Sequence, residues 1–332
     1  MDDPRRVSRG TSGPTAHLPI DGAERELALE LVHVTEAAAL VAAGFLGKGD
    51  PDRVSEAAGE AMRRALEHSD LSATVVLSPR HYTRLPHGAV IGARDRKVDL
   101  GVHPVEGASQ TARGHINAVS LLVAVEPGGF ARLPAVSQVE KFVAGPGARG
   151  AIDLDDSIAD NLRRIAFARD VRVQDLTVAI LERPRHQDLI AEVAGTGARI
   201  RTLEEGDFAS AVMAALPGTG IDAAIGIGDL HATLIAACAV RCLGGEFLVR
   251  LLPRNDEEKS LVGEHASHVY GIVELAPAAD VDVAITGVTG GPLLPGVAYG
   301  SGFAETSSLV MSSRHATVRR LTTRHHVAGR PS

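Results

Sequence analysis

The chain has 332 residues, 45% hydrophobic and 23% charged, which suits about two globular domains with a sizeable core. Its net charge of −7 argues against a general binder of nucleic acid or anionic membrane, and seven Phe, three Tyr and no Trp argue against a base-stacking platform. Two Cys exclude a disulfide scaffold and fit a reducing cytoplasm, no apolar run is long enough to span a bilayer, and no signal-peptide core opens the sequence.

Residues 1–22 are polar and rich in Pro, Gly and charge, a lead-in expected to be disordered. From Glu24, the spacing of Leu27, Leu31, Val34, Ala38 and Val41 predicts a helix that stops near Gly47. A second helix is expected over 54–68, with Ser55 as its N-cap. Strands are expected at 73–78, 89–93 and 98–102. A buried strand follows at 118–126, then an extended pair over 139–155 around a Gly-rich turn. From 156 the rhythm alternates. Helices at 158–168, 186–196, 207–216 and 231–243 interleave with strands at 176–182, 198–203, 222–228 and 246–252, which predicts a mostly parallel sheet covered on both faces. Three β-rich runs, 281–288, 306–313 and 316–323, read as a return to the first domain. The organisation expected is a lead-in at 1–22, one subdomain from 23–155 plus 281–326, and another from 156–280.

Several segments could carry chemistry. Arg183, Arg185 and His186 lie where a strand ends and a helix begins, a natural anion site or else a solvated basic loop. The strand–turn–helix AAIGIGDLHATL (223–234) has the build of a phosphate cradle, although a lone Gly-x-Gly is equally an ordinary tight turn. Arg250 and Arg254 lie near another strand end, where surface charge is the plainer explanation. Arg80, His81, Arg84 and His87 crowd one loop, and His103 and Glu106 follow at the end of a strand. His81, His103 and Glu106 could hold a metal or form an acid–base set, yet their spacing matches no closed zinc signature and surface histidines are common. Cys238 and Cys242 share a helix face as small buried residues.

Together, ELALELVHVTEAAAL (26–40), AMRRAL (61–66), VEKFVAGPGARGAIDLD (139–155), ERPRHQDLIAE (182–192), ALPGTGID (215–222), CLGGE (242–246), RLLPRN (250–255) and ITGVTGG (285–291) resemble, in this order, the class II fructose-1,6-bisphosphatases. The resemblance runs from about Glu24 to Thr323. It implies an α/β fold like that of the lithium-sensitive sugar phosphatases: a layered αβαβα sandwich of two subdomains with the site at their junction. It also implies a homodimer or homotetramer and hydrolysis of a sugar bisphosphate with Mg²⁺ or Mn²⁺ on acidic side chains.

The sequence departs from the family at those ligands. Ser55 stands at an Asp position, and Pro79 and His81 stand at the two Glu positions of one metal loop. His103 replaces an Asp, Glu106 is kept, Ala108 replaces a Thr, and Ala232 replaces a Glu beside His231. The substrate-holding half is better kept. Arg183, Arg185 and His186 match the phosphate loop, Asp207 and Glu205 match the acidic pair on the sugar hydroxyls, and Gly228 matches the glycine turn. Gln138 replaces a Tyr. The expectation is a sugar-phosphate pocket without Mg²⁺ dependence. In it, His81, His103, Glu106 and His231 provide acid–base chemistry, or a His-rich set holds Zn²⁺, Fe²⁺ or Mn²⁺. Arg80, Arg84, Arg250 and Arg254 add positive charge. A catalytically silent sugar-phosphate binder and a phosphatase with a rebuilt single-metal site are the alternatives.

Overall fold

A computed structural model of the chain describes residues 27–79, 81–92 and 94–326, so the expected lead-in at 1–22 lies outside the described residues. The elements run α1 (Leu27–Ala43), α2 (Pro51–Glu67), β1 (Leu71–Leu77), β2 (Val90–Ile91), β3 (Arg96–Glu106), α3 (Ala108–Arg113), β4 (Val119–Val125) and β5 (Val139–Ala144). The middle of the chain gives α4 (Ile158–Ala168), β6 (Thr177–Leu181), α5 (Gln187–Gly195), β7 (Arg199–Leu203), α6 (Asp207–Ala215), β8 (Ala223–Gly228), α7 (Leu230–Cys242) and β9 (Glu246–Leu251). The remainder is α8 (Asp256–Val262), β10 (Val269–Tyr270), α9 (Ile272–Leu275), β11 (Val281–Gly287), β12 (Ala298–Gly300), β13 (Phe303–Ser312) and β14 (Thr317–His326).

Local sequence accounts for these elements. In α2, Val54, Ala58, Met62 and Leu66 recur at helical spacing and are all buried. The helix begins earlier than expected. Its N-cap is Asp50, whose carboxylate accepts from Arg53 N at 3.0 Å, and Pro51 fills the first turn, where no N–H is needed. Ser55 therefore lies inside the helix. The expected extended pair over 139–155 is a single strand, β5, followed by a short 3-10 turn at Pro146–Ala148.

Two sheets form. The first has the order β12-β13-β11-β4-β3-β1-β2, with β14 also paired to β13, and the second the order β10-β9-β5-β8-β6-β7. In the second sheet β6 pairs parallel with β7 and β8. The expectation of a mostly parallel sheet fails because β5 inserts between β8 and β9, antiparallel to both, with Val139 opposite Gly228 and Leu251. β5 precedes the expected boundary at 156, yet it is a central strand of the second sheet.

Alternate strand residues separate the cores. On β4, Leu121 and Val123 join α6, α7 and the inner face of the second sheet, while Leu122 and Ala124 join α1 and α2. On β5, Val139 and Val143 face the α6–α7 layer, while Phe142 and Ala144 pack with α4 and α5. The layers are therefore α1/α2, first sheet, α6/α7, second sheet, α4/α5: an αβαβα arrangement. From Phe208 to Ala215 every residue of α6 is buried, as in a helix between two sheets, and each Leu or Val fully buried in these cores contributes about 2 kcal/mol. Polar contacts also tie α1 across the chain, from Thr35 Oγ1 to Thr286 Oγ1 at 2.8 Å and from Thr306 Oγ1 to Glu36 Oε1 at 2.8 Å. Among the described residues no helix is long and apolar enough to cross a membrane.

Candidate active site

The C-terminal end of β3 faces the loop that follows β1. Tyr82, buried in that loop, fixes the two together: its hydroxyl donates to Val105 O at 2.7 Å and accepts from Val105 N at 3.2 Å. Burial raises the Tyr82 phenol pKa, with the Val105 backbone and Ser55 of α2 opposing the shift. The ring of His103 meets Tyr82 edge-on at 5.8 Å between centroids, and His81 lies against the same tyrosine at 4.1 Å. Burial lowers the His103 pKa to about 3, and the neighbouring His81 adds to the shift. Loss of hydration lowers His81 as well, against the pull of Asp52. Both rings are therefore neutral at pH 7.

Three residues beyond His103, the buried Glu106 reaches from the first sheet to the N-terminus of α6. Its carboxylate accepts from Phe208 N at 2.8 Å and Ala209 N at 3.1 Å. These are N–H groups of the first turn, which have no partner within the helix. Burial nevertheless raises the Glu106 pKa to about 7; the charge of Asp207 adds to this, while the two N–H bonds and Lys141 oppose it.

Asp207, the first residue of α6, forms an ion pair with Lys141 of β5. Only 3% of Lys141 is exposed. Gly228, at the end of β8, closes the group. A Cβ there would lie 2.2 Å from Asp207 Oδ2 and 3.0 Å from Lys141 Nζ. Gly226 opens the same strand to His186, whose imidazole would lie 3.1 Å from a Cβ at that position.

His186 Nε2 accepts from Ile227 N at 2.9 Å, so its Nδ1 carries the proton and donates to Leu181 O at 2.7 Å. Both ring nitrogens are thus engaged with backbone. His186 fixes the turn between β6 and α5 and offers no donor to a ligand. The two arginines of that turn also donate to backbone carbonyls. The exposed Arg185 donates through Nη2 to Ile227 O at 2.9 Å, and the half-buried Arg183 donates to Glu182 O at 3.2 Å.

The other expected site residues are dispersed. Arg84 sits 3.8 Å from Glu56 and 3.9 Å from Glu60, directed to the surface of α2. Arg254 Nη1 donates to Gln138 Oε1 at 2.9 Å, joining two of the expected residues. Arg250 instead pairs with Glu140, at 3.3 Å, and with Asp155. His231, on the first turn of α7, is 3.9 Å from Asp229 Oδ1. Glu205 is half-buried before α6, and Arg80 lies outside the described residues. Among the described residues no three His, Cys, Asp or Glu side chains gather as a group that could hold a metal, so the expected His81–His103–Glu106 metal set is not assembled. Glu106 has turned its carboxylate to the helix N–H groups instead.

The family model for bacterial fructose-1,6-bisphosphatase, glpX-encoded, matches residues 25–325. The chain belongs to the class II fructose-1,6-bisphosphatase family. Fructose-1,6-bisphosphatase 1 class 2 of Escherichia coli strain K12 is 34% identical over 323 residues, covering 91% of this chain and 96% of the relative. The class 2 enzymes of Escherichia coli O6:H1 and Shigella flexneri match to the same extent.

In this member of the class II fructose-1,6-bisphosphatase family, sequence reasoning missed Lys141 and Tyr82. Lys141 had a readable signal: it alternates with Val139 and Val143, so a strand must turn it inward, and the chain has only four lysines. Tyr82 had none, because its role depends on where the loop returns to β3.

Proposed function

We propose that the chain binds a phosphorylated sugar and acts on it by proton transfer through Glu106, with His103 and His81 beside it as neutral hydrogen-bond partners. The observation that carries this reading is the dry Glu106 carboxyl, held on two N–H groups with a pKa of about 7. At neutral pH such a group is present in both protonation states and can give or take a proton. His103, kept neutral, serves as an acceptor and hydrogen-bond partner. Arg183 and Arg185 anchor the phosphate at the turn between β6 and α5.

The family implies a divalent cation, and the residues present do not fit one. Of Ser55, Pro79, His103, Glu106 and Ala232, which stand at the ligand positions by resemblance, only Glu106 carries a carboxylate, and both its oxygens are engaged by N–H groups. Mg²⁺ requires near-octahedral oxygen ligands, so no step is assigned to it.

The test is a panel of sugar mono- and bisphosphates incubated with chelator and followed by NMR. The expected result is an isomerised, epimerised or eliminated product, lost in H103A and E106Q. Phosphate release that appears only on adding Mg²⁺ overturns the reading. A second reading, a sugar-phosphate binder without turnover, is favoured by the structural duty of Glu106. It is separated from the first by tight binding with no product from any sugar. A homodimer or homotetramer belongs to the same proposal, and light scattering tests it.

A further inference from the structure

We infer that Tyr82 is a positioning residue: its hydroxyl holds a bulge in β3 that puts His103 and Glu106 on one face of the first sheet, where the Glu106 carboxyl meets α6. The inference rests on the proton-transfer reading above and extends it to a residue that reading does not use.

Side chains alternate along a strand, so residues three apart point to opposite faces. His103 and Glu106 are three apart. Yet His103 stands opposite Leu121 of β4 and Glu106 opposite Val119, which are only two apart. Leu121 and Val119 both join the core around α6 and α7. β3 therefore holds one extra residue between His103 and Glu106, a β-bulge. The packing shows the same change of phase. Leu100 and Val102 lie in the α1/α2 core, and so does Val105, which a regular strand would turn the other way. Pro104 suits the bulge, because it has no N–H to give to a ladder. Without the extra residue Glu106 would point toward the α1/α2 core, away from the N–H groups of Phe208 and Ala209 that it accepts from.

The bulge lies beyond the reach of β1, whose pairing with β3 ends at Gly101. Tyr82 takes the place of the missing strand. Its buried hydroxyl donates to Val105 O at 2.7 Å and accepts from Val105 N at 3.2 Å. One side chain thus serves both backbone groups of a bulge residue, which are costly to leave unpaired. The ring of the same tyrosine lies against His81 and meets His103 edge-on. Tyr82 acts on Glu106 through Val105, the residue joined to it in the chain.

The experiment is amide hydrogen exchange by NMR on the full chain at neutral pH, comparing wild type, Y82F, E106A and Y82F with Pro104 deleted. E106A sets the exchange rates of the Phe208 and Ala209 amides once the carboxylate is gone. Y82F is expected to raise both rates toward those values, by about tenfold or more, while the amides of α7 and β5 keep their protection. Deleting Pro104 removes the extra residue and leaves His103 and Glu106 two apart, on one face without a bulge, so the protection lost in Y82F should return. A Y82F chain that exchanges faster only at Val105 and its own loop overturns the positioning role. One that loses protection in α6, α7 and β5 alike overturns it too, since the hydroxyl then supports the fold as a whole. With the sugar phosphates, Y82F should lower product yield by about tenfold or more and leave calorimetric binding of fructose 6-phosphate unchanged. A wild type that binds the sugars and forms no product overturns the proton-transfer reading, and with it the catalytic purpose of the bulge, whatever the exchange pattern.

Discussion

Replacing Glu106 by Gln tests whether its carboxyl is as dry as the fold makes it. Burial carries its pKa from an ordinary 4.5 to about 7 in the native state. A raised native pKa means that the group's stabilising contribution is complete below 4.5 and is lost as pH rises through 7. Between pH 5 and pH 8 the wild type should therefore lose about 2.5 kcal/mol through this one group. E106Q removes the titration and should flatten the profile by that amount. It also sets an amide NH₂ against one of the two helix N–H groups, at a pH-independent cost of about 1–3 kcal/mol. His103 works in the opposite direction, because its lowered pKa costs stability as pH falls below 6.5. That contribution is present in both proteins and cancels in the difference. The assay is urea unfolding followed by far-UV circular dichroism from pH 5 to pH 8, with wild type and variant compared at each pH. Parallel profiles would refute the reasoning, since they would mean that the carboxyl is hydrated and titrates near its ordinary value.

Y82F removes the hydroxyl that satisfies both Val105 N and Val105 O, and should destabilise the fold by about 1–3 kcal/mol in urea unfolding while the secondary structure is retained. G228A places a methyl against Asp207 and Lys141. It should cost about 1–3 kcal/mol and weaken fructose 6-phosphate binding by calorimetry, whereas G150A, with open space around its Cβ but a positive φ, should show backbone strain alone. R185A should weaken that binding by about tenfold or more with little change in melting temperature, because the side chain is exposed. H186F should lower the melting temperature instead, since it leaves Ile227 N and Leu181 O unpaired.

Much of the fold was legible because its rules are local. Buried positions at helical spacing mark α2, and the run of β4, apolar but for Ser120, announces a strand covered on both faces, burying all seven residues. The strand–helix rhythm from β6 to β9 follows the sequence closely. What escaped was pairing between distant segments. Nothing in 139–144 says that β5 inserts between β8 and β9, because an antiparallel partner and a parallel one need the same apolar alternation. The helix start was misread by preferring Ser55 to Asp50, although Pro51 directly after Asp50 is the stronger signal. At the site, the Arg183–His186 turn could be read from its place between strand and helix, whereas Asp207 was singled out only through the family resemblance. The scatter of His231, Arg84 and Arg250 was not, since it depends on which carboxylates lie nearby. His186 shows the limit most clearly: its residue type suggested ligand binding, and the fold uses both its nitrogens for the backbone.

The way α1 is held has a consequence for how the chain is made. Its apolar face packs on β11 and β13, and its Thr35 and Glu36 bond to Thr286 and Thr306. On the ribosome this helix emerges early, while the strands that cover it are synthesised last. Loop closure between such distant partners is slow, and the uncovered face is exposed to association throughout. The α1/α2 layer should therefore be the part of a nascent chain that chaperones hold. A chain released before β13 is complete should be captured there, even though every residue of the second sheet is already present.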